Sequence, residues 1–278
     1  MAIEAPYPDI QACMGYIGET GRRICEVSAS EGAAGNISCF YAWDMDYQNI
    51  FTDSEEIDLP LEAPNLVGGI VIITGSGRRL REVYNNPELN LAVIKIIDGG
   101  KKGIIYTSPN KLFQRPTSEF NSHLAIHNLC VKPGVDNFHA VVHAQPIHLT
   151  YLSHIDRYQS TSYLNRHILR WEPEAICNLS EGIAYLPFAV PGSDKLMSGT
   201  LEKLKTHRIV LWAKHGVMAR SNLSVKKACD LIEYAETGAS YEYMNLSNCG
   251  VARGLTADEI CDVAEAFNIK QEIFTRSK

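Results

Sequence analysis

The chain has 278 residues, with 26 Lys and Arg against 32 Asp and Glu and a formal charge of −6. Its 45% hydrophobic and 21% charged residues are those of an ordinary globular protein, long enough to bury a sizeable core. The acidic balance argues against a nucleic-acid partner, and no run approaches the ~18 apolar residues of a membrane span.

The N-terminal stretch has acidic residues, prolines and no basic region, so it does not read as a signal peptide. No repeat, low-complexity tract or Pro/Gly/Ser-rich linker divides the chain, and one domain over 1–278 is expected. Residues 8–31 place Ile10, Met14, Ile17, Ile24 and Val27 at rough helical spacing, and Gly32-Ala33-Ala34-Gly35 stops the run. A strand follows over 36–43. Residues 44–65 are acidic and irregular and read as a surface excursion. A buried strand over 66–74 ends at the tight turn Gly75-Ser76-Gly77, and strands 91–97 and 102–107 are joined by a turn at Gly99-Gly100. A helix starts at Thr117 or Ser118, just after Pro116, and runs to about Leu129. Residues 140–143 and 209–212 are apolar strands, with helices over 159–171 and 194–206 between them. A long amphipathic helix covers 224–246, and a last one over 256–268 opens with the capping residue Thr256. Without the regular cadence of a Rossmann fold, this order gives an α/β class with a mostly antiparallel sheet.

Eight cysteines lie at long, irregular intervals with no C-x-x-C pair, and read as free thiols of a reducing cytoplasm. Histidines crowd the segment 123–154. Five constellations have chemical potential, the third running from Thr117 along one helix face to His127. Gly75-Ser76-Gly77 is either a strand-ending turn or an anion-binding nest, and is neither G-x-G-x-x-G nor a P-loop. Gly35-Asn36 can turn, cap or meet a ligand. Thr117-Ser118-Glu119 caps a helix start that also offers free N–H groups to a phosphate. Glu119, His123 and His127 are spaced i, i+4, i+8, as a metal site or as an ordinary polar stripe. His143 and Gln145 point to one side of a strand and can grip one ion, although two histidines would be a stronger signal. His215, between Lys214 and Gly216, is a third metal ligand or a turn histidine.

In order and spacing, GNIS at 35–38, ITGSGRRLREV at 73–83, NLAVIKI at 90–96, RPTSEFNSH at 115–123, VVHAQ at 141–145, RWEPE at 170–174 and LWAKHGV at 211–217 resemble the class II aldolase family, which includes the adducin head domain. The resemblance implies a central, mainly antiparallel sheet flanked by helices, assembled as a homotetramer. It implies a metal-dependent aldehyde-lyase of the cytoplasm that cleaves L-rhamnulose 1-phosphate reversibly to dihydroxyacetone phosphate and L-lactaldehyde, by way of an enediolate that a divalent ion stabilises. Glu119 would be the acid–base group, and Glu172 would face the aldehyde half. The phosphate would rest on Gly35, Asn36, Ser76, Gly77, Thr117 and Ser118. The metal, one per subunit and zinc by family, would be held by His143, Gln145 and His215.

Gln145 departs from the family's H-x-H pattern. Three arrangements follow: Gln145 ligates through its amide oxygen, His148 swings in, or His143, His215 and Glu119 hold the ion alone. The amide leaves Mn, Fe or Co open beside zinc. The partner is then a sugar phosphate, with no nucleic acid and no membrane. Other lyases or epimerases of the family, acting on fuculose phosphate or pentulose phosphates, are the nearest alternative. A non-catalytic adducin-like scaffold is a further one.

Overall fold

The structure is a computed structural model and describes residues 2–277. Its strands are β1 (Asn36–Tyr41), β2 (Asp53–Asp58), β3 (Ile70–Thr74), β4 (Leu91–Ile97), β5 (Lys102–Thr107), β6 (Phe138–Ala144), β7 (Ala184–Leu186), β8 (Ile209–Trp212) and β9 (Gly216–Ser221). They form one nine-stranded sheet in the order β2-β5-β4-β3-β1-β6-β9-β8-β7. All neighbours pair antiparallel except β7 with β8. The helices are α1 (Ile10–Glu26), the short α2 (Leu80–Val83) and α3 (Pro87–Asn90), α4 (Phe120–Cys130), α5 (Ile147–Leu152), α6 (Thr161–Ile168), α7 (Pro173–Asn178), α8 (Asp194–Leu204), α9 (Val225–Ser247) and α10 (Ala257–Ala266).

Strand alternation divides the core into two layers. Ile37, Cys39 and Tyr41 of β1 join Ala140 and Val142 of β6 in the larger core, under α1 and α9. Phe40 of β1 and Val141 of β6 face the other way, where Leu124 and Ile126 of α4 cover them. The second face also carries Asn36, Ser38, His139 and His143, so α4 closes over a polar row within an apolar layer.

The expected α/β class with its mainly antiparallel sheet is the observed one. The irregular excursion of 44–65 is overturned in part, because 53–58 is β2, an edge strand paired along its length with β5. Its sequence, DSEEID, has almost no apolar face, and backbone pairing alone defines it. The strand expected over 66–74 begins only at Ile70, since Gly68 has φ +85 and 64–66 is a 3-10 turn. The helix expected from Thr117 or Ser118 begins at Phe120, with Glu119 as its cap residue.

Candidate active site

The site is built where β1, β6 and β9 meet the first turn of α4. The register pairs Asn36 with His143, Ser38 with Val141 and Phe40 with His139. His143 and His139, four residues apart on β6, therefore share the face that carries Asn36 and Ser38. His215 sits in the turn joining β8 to β9, next to Lys214, which is left-handed at φ +63. Its backbone N–H donates to the Trp212 carbonyl at 3.1 Å.

Glu119, His143 and His215 converge, with one ligand atom of each within 4.8 Å of the others. His143 Nε2 lies 3.7 Å from Glu119 Oε2, and His215 Nε2 lies 3.7 Å from Glu119 Oε1. Because His143 Nδ1 donates to the Val217 carbonyl at 2.8 Å, its Nε2 is the nitrogen turned toward the carboxylate. The buried Trp212 ring lies 5.0 Å from the His143 ring and 5.2 Å from that of His215. Its own Nε1 donates to Thr200 Oγ1 at 2.8 Å.

Burial pushes the Glu119 carboxyl up, but His143, the Asn36 amide, His215 and His123 together pull it further down, so it stays below the ordinary glutamate value. Burial first, and His143 second, bring the His215 imidazole down to about 4 against the opposing pull of Glu119. Two imidazoles and a carboxylate aimed at one point are a nitrogen–oxygen donor set that fits a divalent ion.

Gln145 follows β6 directly, and its backbone N–H donates to the Ala29 carbonyl at 2.8 Å. Its Cγ lies against Gly216, beside His215. His148 is engaged elsewhere: its Nδ1 and backbone N–H both bond Glu236 Oε1 on α9, at 2.7 and 3.0 Å. Gly216 has a packing reason to be glycine. An added Cβ would overlap the Ala144 carbonyl oxygen and meet Gln145 Cγ at 3.0 Å, so the glycine lets β9 close on the end of β6.

The three pieces expected to hold a phosphate are neighbours. Gly75 bridges to Pro116, Ser76 N–H donates to the Arg115 carbonyl at 2.8 Å, and Thr117 N–H donates to that of Thr74 at 3.0 Å. Thr74 Oγ1 in turn accepts from Ile37 N–H at 3.1 Å, which ties this turn to the Gly35-Asn36 corner. Gly77 has φ +71 and Gly35 has φ +84. Gly35 also presses on the His143 carbonyl oxygen, 3.0 Å from where a Cβ would sit. The Asn36 side chain is not free for a phosphate alone, since its Nδ2 donates to Glu119 Oε2 at 3.0 Å and its Oδ1 meets His123 Nε2.

Glu172 is the cap residue of α7 and lies outside the converging group. Burial and then Glu174 hold its carboxyl above the ordinary value, and its Oε1 is buried without a hydrogen-bond partner.

Sequence reasoning named Glu119, His123 and His127 as a stripe but did not see what it lies on. His123 Nδ1 meets Ser38 Oγ at 2.6 Å, Ser38 Oγ meets His127 Nε2 at 2.7 Å, and His127 Nδ1 meets His139 Nδ1 at 2.8 Å. Ser38 could have been found as the residue two beyond Asn36 on the same strand face.

Comparison with known proteins agrees with this geometry. The chain matches the family described as Class II Aldolase and Adducin N-terminal domain over residues 16–243. It is 31% identical to rhamnulose-1-phosphate aldolase of Listeria welshimeri over 218 residues, 76% of this chain and 75% of that one. It is 26% identical to rhamnulose-1-phosphate aldolase of Yersinia pestis, covering 80% of each chain. The crystal structure of a sugar-phosphate aldolase from Thermotoga maritima superposes with TM-score 0.71 at 27% identity, over 86% of this chain and 97% of that one. The chain belongs to the class II aldolase and adducin family and is a lyase of its aldolase type.

Proposed function

We propose that the chain cleaves L-rhamnulose 1-phosphate reversibly to dihydroxyacetone phosphate and L-lactaldehyde, as a cytoplasmic homotetramer with one divalent ion per subunit. The observation that carries this reading is the convergence of Glu119, His143 and His215 within 4.8 Å beside the 75–77 turn and the start of α4. The substrate is taken from the two rhamnulose-1-phosphate aldolases that the chain resembles over most of its length.

His143 and His215 would hold the ion through Nε2, with the Gln145 amide oxygen as the third donor. The ion, zinc by family with Mn, Fe or Co open to the amide, supplies Lewis acidity that stabilises the negative charge left when the C3–C4 bond breaks. Glu119, buried and ionised, takes and returns the proton at the C3 side. The Gly77 amide and the hydroxyls of Ser76, Thr117 and Ser118 offer neutral donors to the phosphate, with Gly35 and Asn36 closing the near wall. Glu172, its carboxyl raised by burial, suits a proton donor to the aldehyde half. The eight free cysteines suit a reducing compartment. Exposed Tyr151, Tyr243 and Met244 on α5 and α9 form an apolar patch suited to subunit contact.

The test is release of dihydroxyacetone phosphate from L-rhamnulose 1-phosphate, read by coupled reduction, with L-fuculose 1-phosphate in parallel and a chelator control. Release from the first substrate, abolished by chelator and restored by divalent metal, is the expected result. Preference for the second would change the substrate, and release from neither would overturn the reading.

A further inference from the structure

Buried polar atoms in a protein core are almost always paired, and each pair has a donor and an acceptor. That requirement gives the row between Glu119 and His139 a direction. Burial pulls both His123 and His139 down to about 3, and His127 well below its ordinary value, so all three rings are neutral and each carries one N–H. An ionised carboxylate only accepts, so Asn36 turns its Nδ2 to Glu119 and leaves Oδ1 as an acceptor. His123 must then donate from Nε2 and accept at Nδ1. Ser38 donates to His123 and accepts from His127 Nε2, and His127 accepts at Nδ1 from His139 Nδ1.

The far end gives an independent check. His139 Nε2 is buried and has no partner. In the direction just derived, that atom is a bare lone pair. In the reverse direction it would be an N–H buried without an acceptor, the rarer defect, and the Asn36 carbonyl would face the Glu119 carboxylate. Both ends select the same polarity.

We propose that Ser38, His123, His127 and His139 are positioning residues for Glu119, a one-way chain of hydrogen bonds that holds Asn36 as a donor to its carboxylate. Every hydrogen in the row points toward Glu119. The chain fixes the Asn36 amide, which neither Glu119 nor Asn36 could orient as firmly alone, because His123 accepts no other arrangement. The polarised row also favours the ionised carboxylate over its protonated form without placing a cation beside it. The proposal rests on the acid–base role given to Glu119 above.

Two measurements on the full-length, metal-loaded protein test it. The first is long-range 1H–15N NMR of protein labelled with 15N-histidine, assigned by single variants and read without substrate. Nε2–H forms of His123 and His127 and an Nδ1–H form of His139, unchanged from pH 5 to 8, are expected. The opposite tautomer at any of the three, or titration within that range, overturns the chain. The second compares His123→Leu with His123→Gln, whose amide still reaches Asn36. The leucine variant should lose roughly 10–100-fold in kcat with KM and metal content unchanged. The glutamine variant should recover most of that loss. Equal loss in both, or none in the leucine variant, overturns the positioning role while leaving the aldolase reading intact. Full turnover in Glu119→Gln would instead remove the acid–base role, and the positioning role with it, while the tautomer spectrum stayed as described.

Discussion

Glu119 combines burial with ionisation because the Asn36 amide donates to its carboxylate and His143 and His215 stand beside it, which together outweigh burial. Replacing it with Gln keeps the shape and removes the proton acceptor. We expect Glu119→Gln to lower turnover by about 10²–10⁴-fold, with metal content by elemental analysis largely retained; near-normal turnover would take Glu119 out of the proton transfer. Gln145 is the other residue with a separable role. Gln145→Ala should weaken metal affinity in a competition titration with a chelating dye, because His148 is tied to Glu236 and does not replace it. Unchanged affinity would leave Glu119 as the third donor. The convergence of Glu119, His143 and His215 was legible in sequence only through the ordered motifs. The contacts of Ser38 with His123 and His127 span 85 and 89 residues, and no local spacing encodes them.

His143 and His215 owe their separation to how closely β9 approaches β6. Gly216 pairs with Trp212 across the hairpin and has the Ala144 carbonyl where its Cβ would go. Gly216→Ala should force the two strand ends apart, cost about 1–3 kcal/mol as overpacking does, and carry His215 away from His143. Thermal melts and metal titration of the same variant check this. A variant with a lower Tm but full metal affinity would show that the hairpin relaxes without moving the ring. Elements with a strong pattern were legible: β4, β5 and their glycine turn match the sequence reading, and α10 opens with the capping box of Thr256 and Glu259. Two short helices, α5 and α7, were not, because six residues give too few turns for a periodic signal. β2 was missed because an exposed edge strand needs no apolar face.

Across the molecule, burying three neutral imidazoles links stability to pH. His123 and His139 have folded values near 3, while an unfolded histidine titrates near ~6.5. Between those values the unfolded chain binds protons that the folded one refuses, so stability is full above about 6.5 and falls as the pH drops toward 3. Each ring contributes a slope of up to about 1.4 kcal/mol per pH unit. We expect Tm to be level from pH 8 to 7 and to fall between pH 6.5 and 5, before most carboxylates titrate; a flat Tm across that window would contradict neutral burial. The central position of β6 has a different consequence. Its two edges are bonded to β1 and β9, so the amides around His143 can reach solvent only if the sheet parts in its middle. Hydrogen exchange there should be as slow without the ion as with it. Metal loss then leaves a standing template rather than a melted segment, and reloading requires no refolding.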